Sequence, residues 1–161
     1  MYTLVKSKFT NGSVSIQQAL ETYSKTFSRV FFSSLSSDAE ILLSHKDELL
    51  SENLFIYIKD TFSMPEASWK RVLLQTILEA PVAFVYNLQL DRDIIYINRH
   101  TQKLKSVLEA PKIPISAGIY ILTPEIFSVI DKETDIDKIL LKQKSSILIC
   151  SLLEWTPNGS V

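Results

Sequence analysis

The stretch that most constrains the fold runs from Trp69 to Gln89 and reads WKRVLLQTILEAPVAFVYNLQ. Its apolar and β-branched residues form two runs, and Glu79-Ala80-Pro81 separates them at a point where proline cannot extend a hydrogen-bonded ladder. This pattern predicts a central hairpin of two strands. Arg71 falls in the first of these strands, where a charged side chain needs either solvent or an anionic partner.

The composition is that of one globular domain spanning 1–161. Of the 161 residues, 46% are hydrophobic and 22% are charged, which is ordinary for a soluble protein with one core. Seventeen basic and eighteen acidic residues give a formal net charge of −1, so nothing indicates a nucleic acid partner. The apolar runs are far shorter than the ~20 residues of a membrane span, and no signal-peptide pattern is present, so a cytoplasmic location is expected.

Residue scarcity argues against several common kinds of site. The three glycines, Gly12, Gly118 and Gly159, cannot build a glycine-rich phosphate loop. Two histidines and one cysteine cannot supply the usual ligand set of a zinc site. Cys150 lies within an apolar run and is expected to be a core thiol. We therefore expect no cofactor and no metal.

The order of predicted elements indicates an α+β fold. Strands are expected at 2–5, 27–35, 53–58, 115–122 and 146–155, in addition to the central hairpin. Helices are expected from Ser15, from Asp93 to Leu108, after Thr123, and at 135–141. Segment 40–44 is assigned to a strand, with a helix capped by Ser37 as the alternative. Because helices and strands do not alternate strictly, the pattern favours a mainly antiparallel sheet covered by helices.

Glu154, near the other end of the chain, is a candidate partner for Arg71. It stands between Leu153 and Trp155 in an otherwise apolar segment. If Glu154 and Arg71 meet beneath the helices, they form a pocket with one cation and one acid, which suits a small carboxylate-bearing ligand. The alternative is that both side chains have reached strand ends and face water.

Four stretches, taken in order, resemble the chorismate pyruvate-lyase family. They are GSVSIQQAL at 12–20, RVLLQTILEAP at 71–81, IPIS at 113–116 and LLEWTP at 152–157. The resemblance implies one chorismate lyase-like α+β domain that eliminates pyruvate from chorismate and yields 4-hydroxybenzoate without a cofactor. It further implies that Arg71 grips a substrate carboxylate, that Glu154 contacts the ring hydroxyl or assists proton movement, and that Ile115 and Val14 touch the substrate.

One position departs from this family pattern. The family has glycine where this chain has Ser116, so close approach of the backbone to a ligand is not implied there. The departure leaves open a relative that binds a small aromatic carboxylate without turning it over.

Two further resemblances give different hypotheses. The stretch LEAPKIPISAGIYILTPEIFSVID at 108–131 is similar to the E-x-P…AGIY…P-E-I segment of sugar-nucleotide nucleotidyltransferases. Those enzymes need a glycine-rich N-terminal loop with a catalytic basic residue, which 1–50 lacks, so this resemblance implies a degenerate, non-catalytic interaction module. The stretch ILEAPVAFVYNLQLDRDIIYINR at 77–99 resembles a PAS-like sensor core, but the PAS pattern fails in the last third of the chain.

Overall fold

A computed structural model describes residues 2–7, 27–33, 37–59, 66–130, 135–143 and 147–152. In these ranges the strands are β1 (Tyr2–Ser7), β2 (Phe27–Ser33), β3 (Phe55–Ile58), β4 (Val82–Gln89), β5 (Ile94–Ile97), β6 (Leu104–Leu108), β7 (Lys112–Leu122) and β8 (Leu148–Ser151). The helices are α1 (Asp38–Ser44), α2 (Lys46–Leu49), α3 (Glu66–Gln75), α4 (Ile126–Val129) and α5 (Ile136–Leu141), with a 3-10 turn at Thr76–Leu78. Within these ranges no helix has the length and apolarity needed to cross a membrane.

Six of the strands form one mixed sheet in the order β2-β1-β3-β7-β4-β8. Strand β1 is parallel to β2 and β3, and β4 is parallel to β8. Strand β7 is antiparallel to both of its neighbours, β3 and β4. The prediction of an α+β fold is confirmed. The prediction of a mainly antiparallel sheet is wrong, because three of the five strand pairings in this sheet are parallel, and these join strands whose order in the sheet no local spacing signals.

Apolar side chains cover both faces of the sheet. Along β3 and β7 successive buried side chains point to opposite faces, as the strand period requires. One face carries Ile56, Phe84 and Ile119 and packs against Val72 of α3. The other face carries Phe55, Tyr57 and Tyr120 and packs against side chains of α1, α2, α4 and α5.

Helix α3 replaces the first strand of the predicted central hairpin. Ser68, Val72 and Thr76 are buried and lie four residues apart, which is the spacing of one helical face. Arg71 is exposed on the same helix, so its guanidinium does not enter a strand pair. The prediction of a strand rested on the apolar run from Val72 to Leu74 and did not use the helical spacing of the buried positions.

Strands β5 and β6 form a hairpin where the sequence predicted a helix starting at Asp93. The turn between them is fixed by Asn98, whose Oδ1 accepts hydrogen bonds from the amides of His100 (3.0 Å) and Thr101 (3.1 Å). Asp93 does not cap a helix; its Oδ1 accepts from the Ala110 amide (2.9 Å) at the base of the hairpin. The turn chemistry and the β-branched run of β5 therefore outweighed the helical spacing.

Helix α1 occupies the segment 40–44 that was assigned to a strand. Ser37 Oγ accepts from the Glu40 amide at 3.2 Å, so the capped-helix alternative is confirmed. Helix α5 begins as predicted, with Asp135 Oδ1 accepting from the Asp137 amide at 2.9 Å. The helix predicted from Ser15 lies outside the described residues.

Candidate functional site

The residues predicted to contact a substrate can be placed only in part. Arg71 Nε donates to the backbone oxygen of Ser151 at 2.6 Å on the surface of the protein. Ile115 is half-buried on β7. Glu154 and Val14 lie outside the described residues. A shared role for these four residues stays a prediction.

Ser116, the position that departs from the lyase pattern, belongs to a chain of hydrogen bonds. Its Oγ accepts from the Gly118 amide at 3.2 Å and lies 2.9 Å from the hydroxyl of Tyr120. That hydroxyl donates to Asp137 Oδ1 at 2.7 Å. Gly118 has φ 70°, in the left-handed region where glycine carries no Cβ penalty.

Asp38 is the buried hub of a second set of hydrogen bonds. Its Oδ1 accepts from the hydroxyl of Tyr57 at 2.5 Å, and its Oδ2 accepts from the amide of Ile136 at 2.8 Å. The Ile136 amide is one of the first-turn donors of α5 that have no partner within the helix. Asp38 thus ties the start of α1 to strand β3 and to the start of α5.

Lys59 joins the carboxylates at the surface. Its Nζ lies 3.5 Å from Asp38 Oδ2 and 3.5 Å from Asp135 Oδ2, and its side chain is 34% exposed. Burial lowers the pKa of Lys59, but the carboxylates of Asp38 and Asp135 outweigh burial, so the pKa is raised above its ordinary value of 10.5. Lys59 is therefore a fixed cation at neutral pH.

These side chains form one group, which we call the Lys59 cluster: Asp38, Tyr57, Lys59, Ser116, Tyr120, Asp135 and Asp137. Lys59 directly follows β3, and Asp38 begins the first helix after β2. Strand β1 lies between β2 and β3 in the sheet. The chain therefore leaves β1 for β2 on one side of it and then returns to β3 on the other side, which makes the β1 and β3 pair a topological switch point. Open sheets bind ligands at such a switch point, outside the carboxyl ends of their parallel strands.

The sequence interpretation did not identify this cluster. Of its carboxylates, Asp135 was considered only as the start of the helix predicted at 135–141. The available signal was FIYIK at 55–59, in which a lysine directly follows a short, fully apolar strand. Its carboxylate partners are distant in sequence, so spacing could not reveal them. In the part of the chain that the structure describes, no three His, Cys, Asp or Glu side chains are placed to hold a metal ion.

The cluster predicts a loss of stability at high pH. Burial and the carboxylate of Asp137 raise the pKa of Tyr120 above its ordinary value of 10, and the pKa of Lys59 is raised as well. The folded protein holds these protons at pH values where the unfolded chain releases them, so the free energy of unfolding falls as pH rises.

Urea titrations from roughly pH 9 to 11.5 should show Tyr120 contributing a slope of up to about 1.4 kcal/mol per pH unit. Tyr120→Phe should remove that contribution, whereas Tyr96→Phe, on the exposed strand β5, should leave it intact. An unchanged slope in Tyr120→Phe would contradict the prediction.

Comparison with known proteins yields matches among solved structures alone. No protein-family model and no curated protein sequence matches the chain. CMP:2-keto-3-deoxy-manno-octonic acid synthetase complexed with CTP aligns over 95% of this chain and 90% of its own, at 8% identity and a TM-score of 0.52. HddC from Yersinia pseudotuberculosis aligns over 95% and 90%, at 12% identity and a TM-score of 0.49. UDP-glucose pyrophosphorylase aligns over 92% and 71%, at 14% identity and a TM-score of 0.46.

The likeness to the CTP-bound synthetase shows a shared fold, and it corrects the first resemblance. The chain shares the fold of this synthetase, so its identification with the chorismate pyruvate-lyase family is wrong. The predicted release of pyruvate and 4-hydroxybenzoate from chorismate is wrong with it, as is the lyase class. The resemblance of 108–131 to sugar-nucleotide nucleotidyltransferases agrees better with the fold shared with this synthetase.

Proposed function

We propose that this protein is a nucleotidyltransferase-like module that binds a nucleotide or sugar nucleotide beside the Lys59 cluster. The observation that carries the proposal is the place of Lys59, immediately after β3 and at the switch point of the sheet. The fold likeness to a synthetase whose structure holds CTP supports this choice of ligand class.

The charges of the cluster favour the hydroxyl-bearing part of such a ligand. Asp38 and Asp135 each lie 3.5 Å from Lys59, and the charge of Asp137 also acts on it, so the local charge is negative and disfavours a phosphate in direct contact. Asp135 is 41% exposed and Asp137 is exposed too, so both can accept hydrogen bonds from ribose or sugar hydroxyls. Lys59 would hold Asp135 in position for this contact.

The proposal is binding without nucleotidyl transfer. A glycine-rich loop with a basic residue is the device by which such folds hold phosphates, and the sequence has only Gly12 as a glycine in its first hundred residues. Transfer requires the phosphates and their charge to be held in line for displacement. The module would therefore bind its ligand without transferring a nucleotidyl group from it.

The test is a thermal-shift screen with CTP, UTP, GTP, dTTP, UDP-glucose and the matching sugar 1-phosphates, each with and without Mg²⁺. We expect at least one nucleotide or sugar nucleotide to stabilise the protein by about 2.7 kcal/mol at a hundredfold excess over its dissociation constant. For a domain of this size that stabilisation raises Tm by roughly 5–10 °C.

Two variants locate the site. Asp135→Asn keeps a good helix cap but removes the charge, and it should weaken binding about tenfold. Asp47→Asn, an exposed acid in the first turn of α2, is the matched control and should bind normally. Absence of any shift at millimolar ligand would overturn the proposal, and pyrophosphate release from a triphosphate and a sugar 1-phosphate would contradict its non-catalytic part.

A further inference from the structure

A two-stranded arm extends from the sheet on the side of the β5 and β6 hairpin. Strand β8 pairs with β4 only as far as Val85, and β3 pairs with β7 only from Ile119 onward. Beyond these points β4 and β7 continue as a ladder of two strands to the pair Gln89 and Lys112, and the hairpin extends it further. We call residues 86–115 the arm.

The arm carries a large share of the exposed apolar surface. Fifteen large hydrophobic residues are exposed in the described part of the chain, and seven of them lie in the arm: Leu88, Ile95, Tyr96, Ile97, Leu104, Val107 and Leu108. Their exposed fractions run from 41% to 64%. The register sets Ile95 opposite Val107 and Ile97 opposite Leu104. A bulge at Lys105 separates the two pairs, so Leu104 lies on the same face as Ile97 and the four residues share one face of the hairpin. We call them the aliphatic face.

A two-stranded hairpin such as β5 and β6 is stabilised when another surface packs against its apolar face. An isolated two-stranded hairpin is marginally stable in water, because one apolar face without a third strand or a packed layer buries little surface. Within the described residues β5 and β6 pair only with each other, so each also presents an outer edge. Association would bury the aliphatic face and shield these edges together.

The charges of the arm are separated along its length. The tip carries three basic residues, Arg99, Lys103 and Lys105. The base carries three acidic residues, Asp91, Asp93 and Glu109, and two basic residues, Arg92 and Lys112, so its formal charge is negative. Tip and base are therefore of opposite sign, and they lie about 15 Å apart, the length of strands of four or five residues. Two arms placed antiparallel would bring each tip beside the base of the other.

We propose that the arm is a self-association surface on which a second copy of this chain docks, antiparallel and aliphatic face to aliphatic face. A two-fold contact satisfies both tip-to-base charge pairings at once, because the same patch serves on each copy. Covering the aliphatic faces and their rims on two copies removes roughly 1,000 Å² from water, at the lower end for a specific interface. Dissociation constants in the micromolar range follow for an interface of that size and polarity.

Sedimentation velocity of the full chain, from about 1 to about 200 µM, tests the proposal. We expect the weight-average mass to rise from that of one chain to that of two. Ile95→Lys, in the centre of the aliphatic face, should raise the dissociation constant at least about tenfold. Ile77→Lys is the matched control, because Ile77 is 71% exposed in the 3-10 turn outside the arm, and it should leave the constant unchanged.

A set of charge-reversal variants distinguishes antiparallel docking of two arms from non-specific hydrophobic association. Lys103→Glu with Lys105→Glu should weaken association about threefold to tenfold, and adding Asp91→Lys and Glu109→Lys should restore it. These four positions are exposed, so folding is retained, which circular dichroism checks. A wild-type chain that stays monomeric to about 200 µM overturns the proposal and points to a different protein as the partner of the arm. Failure of the second pair of reversals to restore association also overturns it.

Discussion

Replacing Asp38 with alanine is expected to lower the free energy of unfolding by about 3–5 kcal/mol, as removal of one member of a buried hydrogen-bonded ion pair does. The Asp38 side chain is 7% exposed, and its carboxylate accepts from Tyr57 and from the Ile136 amide while facing Lys59. Alanine removes the carboxylate that accepts from the buried Tyr57 hydroxyl and from the Ile136 amide, and it also removes a carboxylate paired with Lys59.

Urea unfolding followed by circular dichroism measures this effect. Asp47→Ala, at an exposed acid in the first turn of α2, should change the free energy of unfolding by less than about 0.5 kcal/mol. Asp38→Asn should fall between the two, because the amide oxygen still accepts one hydrogen bond but the charge opposite Lys59 is gone. A loss below about 1 kcal/mol in Asp38→Ala would show that the hub is not a stabilising element.

Phe84→Ala is expected to cost about 3–5 kcal/mol by opening a cavity beneath α3. Phe84 is fully buried on β4 and belongs to the same apolar layer as Val72 of α3. Phe84→Leu should cost roughly 1–1.5 kcal/mol, because most of the volume is retained. Leu74→Ala, on an exposed position of α3, is the control and should cost less than about 0.5 kcal/mol.

The same denaturation experiment evaluates these core variants. If Phe84→Ala and Leu74→Ala lost equal stability, α3 would not pack on the sheet through this layer, and its assignment as a covering helix would be wrong. A selective loss in Phe84→Ala would confirm that the segment predicted as a strand is held by a buried helical face.

The sequence predicted those elements whose signals are local. Strand β3 lies within the predicted segment 53–58, and α5 lies within the helix predicted at 135–141, with Asp135 as its cap. Ser37 supplied the correct capping signal for α1, although the segment was assigned to a strand. In each case a few neighbouring residues determine the backbone, so propensity and capping chemistry are sufficient.

Predictions failed where two local signals competed. Residues 66–75 combine the apolar run from Val72 to Leu74 with helical spacing of buried positions, and the spacing decided the outcome. In residues 94–108 the helical spacing was present, but the Asn98 turn and the β-branched run produced a hairpin. The two segments differ in what stabilises them. Packing of its buried face against the sheet stabilises α3, whereas the Asn98 turn, which lies within the hairpin itself, stabilises β5 and β6.

The Lys59 cluster could not be predicted from sequence because its members come from separate parts of the chain. Asp38, Lys59 and Asp135 meet only after β3 has taken its place beside β1 and α5 has packed across the sheet. Arg71 and Glu154 were paired because each is a charged residue in an apolar segment. That pattern does not indicate whether the two side chains lie at the same edge of the sheet. Long-range pairing therefore determines the site, and no motif of fixed spacing encodes it.

Strand β7 has a consequence for the order in which the chain can assemble. It lies between β3 and β4 in the sheet, but it is synthesised after both of them. Phe55 of β3 therefore cannot pair with Leu122 until β7 has been made. Until β7 arrives, β1 and β3 form one fragment and β4 another, each with an open edge that can pair with other chains. The sheet of this protein can therefore form only after its central strand β7 has been synthesised. Slow synthesis, or interruption before residue 122, would leave two aggregation-prone fragments of the sheet instead of a smaller stable domain.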